Sequence, residues 1–336
     1  MQFIILVVME KEILKWGMIG TGNVTERKSA PSFNKIKGSQ LVAVGNRTAK
    51  KAEDYAERHG IPKWHRDPHD VIHDQSVDIV YIATPPGSHM EYALETIYAG
   101  KPVYIEKPMA RTWDECCIIN EAAEKKGVDV YVAYYRRSLD YFKKVKEIID
   151  SGSLGKVLHI NLQQYFPARD EDHQRNHLPW RVIPRDSGGG YFHDMGCHAL
   201  DILFYMFGGP VEVMGKSTNM GGLYAPVDTI SASLLLPDNL LVTGSWSFVT
   251  PKSYQKDQVE VVGENGKLQF SIFGFTPILL DLENHKESFP IVQPENIQMP
   301  LIQSIVSEIN GVGKCPSTGL TAAVTSRVMD TISGLF

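Results

Sequence analysis

The sequence contains no block of basic residues, no CxxC pair, and at its start no apolar stretch of membrane-spanning length. Each absence removes a class of function. Net charge is −5, and without a basic run this argues against nucleic acid or an anionic membrane surface as the main partner. The four cysteines, Cys116, Cys117, Cys197 and Cys315, suggest neither a zinc ribbon nor a thioredoxin-like centre, and their simplest setting is a reduced, cytoplasmic one. The apolar run Phe3 to Met9 lacks a preceding basic region and a small-residue cleavage site, and is far too short to span a bilayer. It reads as an extension ahead of an alternative start at Met9, with an added edge strand as the other reading. Repeats and low-complexity segments are missing as well.

What is present suits a packed protein. Hydrophobic residues make up 43% and charged residues 22% of 336 positions, enough for a sizeable core and, as a prior, for two domains. Strand-like runs alternate with helices from "ILKWGMIG" (13–20) through "QLVAV" (40–44), "VDIVYIA" (77–83) and "PVYIEKP" to "VDVYVAYY". This alternation predicts an α/β fold with a doubly wound parallel sheet, over residues 1–135. Period-2 segments follow. Leu240, Val242, Trp246 and Phe248 share one face of a strand, and Thr243, Ser245 and Ser247 the other. Thr229, Ser231 and Ser233 repeat that hydroxyl face in the strand before it. A second α/β domain with an open, mainly antiparallel sheet is therefore expected over 136–336, for substrate binding and oligomerisation. A flat hydroxyl-rich face predicts packing against another subunit, as a homodimer or homotetramer.

"GTGNVT" follows the first strand and opens a helix. Gly20 and Gly22 let the backbone turn tightly and bring its N–H groups to a pyrophosphate, with Thr21, Asn23 and Val24 in the same turn. The third glycine of the usual GxGxxG is replaced by Thr25, so the signal rests on its strand–turn–helix context. At the end of the second strand an NAD enzyme places an acid for the ribose 2′-OH, whereas here stand Asn46, Arg47 and Thr48, with Lys50 and Lys51 close behind. A guanidinium can grip a 2′-phosphate that a carboxylate would repel, so NADP is the preferred cofactor and NAD the alternative.

Near the middle, "SGGGYFHDMGCHALD" sets Asp194, His198 and Asp201 at i, i+4 and i+7, a polar stripe on an otherwise apolar helix. Together with "ATPPGSH", "EKPMA", "YYRR" and "SGSLGK", in this order from about Lys15 to the C-terminus, it resembles the glucose–fructose oxidoreductase, inositol dehydrogenase and rhizopine-catabolism (Gfo/Idh/MocA) family. The resemblance implies a Rossmann domain followed by an α/β domain with an open sheet. It also implies hydride exchange between nicotinamide and a hydroxyl or ketone of a sugar, cyclitol or related polyol. On the matching positions, Lys107 is the catalytic lysine of "EKP", and Asp194 and His198 are the Asp-x-x-x-His pair. Thr84, Pro85, His89, Glu106 and Lys107 join the phosphate turn, Asn46 and Arg47 as cofactor contacts. Tyr135, Arg136, Trp180 and Arg181 join Asp194 and His198 as candidate substrate contacts.

A base working near neutral pH requires the lysine pKa to drop by ~3 units, which burial beside an oxidised nicotinamide favours and a touching carboxylate opposes. Asp194 is therefore expected against His198, fixing its tautomer, and not against Lys107. The glycines are expected to let backbone pass close to the ligand. Asp201 is either a substrate contact or a cap. No metal site is expected: His173 and His177 would need a helix, and "RDEDHQRNHLPW" reads as a loop. Two rival functions follow: a glycoside-cleaving hydrolase or lyase acting by transient oxidation on a retained nicotinamide, and a cofactor-sensing binding protein.

Overall fold

Short Val-, Ile- and Tyr-rich runs, buried on both faces, form a parallel sheet in the computed structural model, which describes residues 13–335. Its strands are β1 (Leu14–Ile19), β2 (Ser39–Gly45), β3 (Lys63–His65), β4 (Ile79–Ile82), β5 (Val103–Ile105) and β6 (Val130–Val132). Their spatial order is β3-β2-β1-β4-β5-β6. The chain reverses its winding between β1 and β4, and in open parallel sheets a crevice opens at the carboxyl ends beside such a switch point. Helices Ala49–His59, His89–Tyr98 and Trp113–Lys126 supply the crossovers. β3 and the short helix Pro68–His73 were not anticipated, because "KWH" is too short and too polar to show a strand period. The readings of Phe3 to Met9 fall outside the described residues.

The second sheet comprises β7 (Val157–Tyr165), β8 (Glu212–Thr218), β9 (Thr229–Leu235), β10 (Leu241–Ser247), β11 (Lys256–Gly263), β12 (Gly266–Phe270), β13 (Ile278–Leu282) and β14 (His285–Phe289). Their order is β14-β13-β12-β11-β7-β10-β9-β8, and every pair is antiparallel except β7 with β10. Alternation does its expected work in the centre: Ile230, Val242, Trp246 and Val259 are buried, while Ser231, Thr243 and Ser245 face outward and stay at least partly exposed. Among the described residues, no helix is long and apolar enough to cross a membrane.

The C-terminal part returns to the first sheet. Ser317 donates to the Val132 carbonyl at 2.7 Å, and Val132 N–H donates to the Ser317 carbonyl at 3.2 Å. Thr318 then caps the helix Gly319–Ser333, accepting from Thr321 N–H. Near the end of that helix, Asp330 accepts from Trp113 N–H at 2.6 Å and pairs with buried His193 at 3.1 Å. The two sheets are thereby locked around one cleft.

Candidate active site

The cleft begins where β1 ends. Gly20 holds φ +98°, and a Cβ there would stand 2.7 Å from the Ala83 carbonyl oxygen, so only glycine lets this turn lie against the end of β4. A Cβ on Gly22, by contrast, would meet nothing within 4 Å. That open space above the turn is where the backbone can receive a pyrophosphate. Thr25, in the place of the third glycine, is fully buried and turns its hydroxyl back onto the Gly22 carbonyl at 2.8 Å. Asn46 ties the next turn to the first, donating to Thr21 Oγ1 at 2.8 Å and accepting from Thr48 N–H at 2.9 Å. Arg47 is exposed on the cleft beside Lys51.

At the end of β5, Glu106 is buried and saturated. Its Oε1 accepts from Tyr81 Oη and from Gln298 Nε2, both at 2.7 Å, and its Oε2 from Lys107 N–H at 3.2 Å. Tyr104 Oη steadies Gln298 from beneath at 2.9 Å. With its carboxylate pinned, Glu106 fixes the backbone from which Lys107 projects. The Lys107–Pro108 peptide is cis.

Lys107 Nζ donates to Asp194 Oδ1 at 2.6 Å and to the Asp194 carbonyl at 2.8 Å, while Asp194 Oδ2 accepts from Arg181 Nε at 3.1 Å. The expectation that Asp194 orients His198 is thus overturned. The reason is local: Phe192–Gly196 is a π-helical turn, ahead of the α-helix Cys197–Phe207. Its wider turn swings Asp194 off the stripe that i, i+4 spacing would make, toward the two cations. Burial lowers the pKa of the Lys107 ammonium, but the Asp194 carboxylate outweighs it and holds that pKa above the ordinary lysine value. Burial likewise pushes the Asp194 carboxyl up, and Lys107 and Arg181 together bring it down to about 2. Lys107 is therefore an ammonium, not the neutral base expected.

His198 stands apart from Asp194. Its ring is packed edge-on against Tyr134, Tyr135 and Phe273, and its Nδ1 is buried without a hydrogen-bond partner among the described residues. Burial, reinforced by the charges of Arg136 and Lys107, holds its pKa well below the ordinary histidine value, so the imidazole is neutral. Asp201 does not line the cleft: its carboxylate takes Arg137 Nε at 2.9 Å and Nη2 at 2.6 Å, both side chains being buried. The glycines at 188–190 lie against other parts of the protein. A Cβ on Gly188 would strike the Arg111 carbonyl and one on Gly189 the ring of His193.

One cleft of about 690 Å³ is lined by all the candidate residues except His89, Arg136 and Asp201. His89 is buried between two loops, its Nε2 at 2.8 Å from the Thr84 carbonyl and its Nδ1 at 3.1 Å from that of Pro108. It positions the Thr84 and "EKP" turns and does not reach the cleft. Arg136 lies behind the wall, with its guanidinium over Tyr135 and Phe273 and its Nε on the Ile272 carbonyl. The sequence reading missed Lys28, Arg169, Met195, Phe273 and Gln298, which also line it. They sit in loops and short turns with no periodicity, and only the tertiary fold brings them near. His173 ends a 3₁₀ turn (Asp170–His173) short of His177, so the two do not share a helical face. Among the described residues no group of three His, Cys, Asp or Glu side chains is placed to hold a metal ion.

Comparison with known proteins agrees with this architecture. Residues 14–134 match the oxidoreductase family with an NAD-binding Rossmann fold, and residues 142–269 match the GFO/IDH/MocA C-terminal domain. Oxidoreductase P35 of Formosa agariphila is 36% identical over 97% of this chain and all of its own length. The scyllo-inositol 2-dehydrogenase (NAD(+)) of Bacillus subtilis is 25% identical, covering 94% of this chain and 90% of that protein. Among solved structures, the aldose-aldose oxidoreductase from Caulobacter crescentus superposes with a TM-score of 0.84 at 24% identity, over 95% of this chain and 96% of that one.

Proposed function

The chain belongs to the GFO/IDH/MocA oxidoreductase family, and from that premise we propose that it transfers a hydride between NADP and a ring hydroxyl or ketone of a sugar, cyclitol or related polyol. The observation that carries this reading is the meeting of Lys107, from the first domain, with Asp194 and His198, from the second, on the cleft that the Gly20–Gly22 turn opens into. When bound, the nicotinamide supplies or accepts the hydride. The protein handles the proton. Lys107 Nζ, held charged by Asp194, is set to donate its proton to a carbonyl oxygen during reduction; in oxidation the same lysine, in its neutral form, takes the hydroxyl proton back as the hydride leaves. His198, neutral and walled by aromatic rings, offers a second hydrogen bond to the same oxygen. Tyr135 and Phe273 line the cleft on its apolar side.

Proton donation by Lys107 is lost as pH rises through its pKa, which Asp194 keeps high. Ketone reduction should therefore stay level through neutral pH. In Asp194→Asn, burial lowers the Lys107 pKa with the strongest opposing charge gone and the weaker pull of Glu106 left. The alkaline limb of kcat should move down by roughly 1–3 pH units, as a pH–rate profile would show; an unmoved limb would separate Lys107 from the titration.

Preference for NADP is supported by the absence of an acid after β2, by Asn46 spending its amide on Thr21 and Thr48, and by Arg47 having no carboxylate partner among the described residues. Arg47→Ala is expected to weaken NADP by roughly 10–100-fold, the worth of a charge-assisted hydrogen bond, and NAD far less. Equal losses for both cofactors would contradict the preference. The half-exposed hydroxyl face of β9 and β10 supports self-association, and light scattering at micromolar concentration should give the mass of a dimer or tetramer.

The decisive assay incubates the protein with NADP and a panel of pyranoses, cyclitols and keto-sugars. Stoichiometric change in the reduced-nicotinamide absorbance is the expected result. Glycoside cleavage without net cofactor change would instead favour the hydrolase or lyase reading.

A further inference from the structure

Charge along the cleft is uneven. Among the described residues, Lys28, Arg47, Lys51, Lys107, Arg169 and Arg181 line it, against two carboxylates, Glu106 and Asp194. Arg47 and Lys51 follow β2 and stand at the nucleotide end. Glu106 is already occupied by Tyr81, Gln298 and the Lys107 N–H. At the other end, then, the single carboxylate of Asp194 lies in the field of three cations, Lys107, Arg181 and Arg169, each of which lowers its pKa.

The two arginines are built into place. Arg181 spends its Nε on Asp194 and stacks on the Trp180 ring at 4.6 Å, while its terminal nitrogens have no hydrogen-bond partner among the described residues. Arg169 lies over the Tyr191 ring at 4.4 Å, with Nη2 on Met195 Sδ at 3.7 Å and Glu171 at 3.6 Å on its outer side. Both belong to the connection between β7 and the π-helical turn, and only the Asp194 carboxylate separates Arg181 from the Lys107 ammonium. A neutral polyol would leave the terminal donors of Arg181 partly desolvated and unpaired, and Arg169 with the outer Glu171 as its one ion-pair partner among the described residues, which is costly. A carboxylate matches the fork of an arginine and neutralises the excess.

We propose that the substrate is an acidic sugar, its carboxylate held by Arg181 and Arg169 while a ring hydroxyl or ketone lies at Lys107 and His198. This rests on the hydride-transfer reading for the reacting end only; the anion site can be tested by binding alone.

The test uses the full chain saturated with NADP, and compares hexuronates with the hexoses of the same configuration, by calorimetry for Kd and by nicotinamide absorbance for kcat/KM. The acid of each pair should bind at least about tenfold more tightly, an advantage that shrinks with added salt because exposed charges are screened. Arg181→Lys, which keeps the charge but loses the fork, and Arg169→Met should each reduce the acid-to-neutral ratio several-fold. Equal affinities for acid and neutral sugars, a ratio that neither substitution moves, or stronger binding of sugar phosphates than of hexuronates would overturn the proposal. Preferential binding of acids without any nicotinamide reduction would support the anion site and sink the hydride-transfer reading. Rapid oxidation of neutral sugars with acids left unbound would do the reverse.

Discussion

Lys107→Met is expected to lower turnover by ~10²–10⁴-fold, the usual contribution of a positioned acid or base. Cofactor affinity, followed by protein fluorescence, should move little, because the Gly20–Gly22 turn is untouched. The size of the effect follows from the site. Among the described residues, Lys107 is the only cation that a buried, saturated Glu106 holds by its backbone and that Asp194 holds by its side chain. Lys107→Arg separates charge from proton transfer. A guanidinium can still pair with Asp194 but stays protonated at any accessible pH, so this variant should be impaired about as severely as the methionine one. Retained turnover in both would remove Lys107 from the proton path.

Asp201→Ala should cost about 3–5 kcal/mol of stability, the range for breaking a buried ion pair from one side. The Arg137 guanidinium would be left buried, with its Nη1 bond to the Pro316 carbonyl at 2.7 Å and the Tyr205 ring at 5.4 Å. Burial raises the Asp201 pKa and Arg137 opposes that rise, so the pair is worth keeping only while both members are present. Differential scanning calorimetry should show the first transition falling by on the order of 10 °C. The double replacement Arg137→Met, Asp201→Leu is expected to regain most of the loss, since a packed apolar pair avoids desolvating charge. A single variant as stable as the parent would mean that water reaches this contact.

These two variants mark where reading the sequence succeeds and where it stops. The strand–turn–helix around "GTGNVT", the "EKP" turn at a strand end and the hydroxyl alternation of β9 and β10 were legible because each is local. A turn, a period or a β-strand edge is decided within about ten residues of chain. The partners of Asp194 and Asp201 were not. Both lie seven or fewer residues from His198, yet one turned to Lys107 and Arg181 and the other to Arg137. The glycine run likewise looked like room for a ligand, whereas it gives room to Arg111 and His193.

From its sequence alone this protein was determined to have a parallel dinucleotide-binding sheet followed by an open second sheet, because hydrophobic periods and turn residues act at short range. Only the tertiary structure decided which charges meet. A largely buried ion must find its counter-ion in space, and a single π-helical turn was enough to carry Asp194 from the histidine four residues away to the lysine 87 residues away.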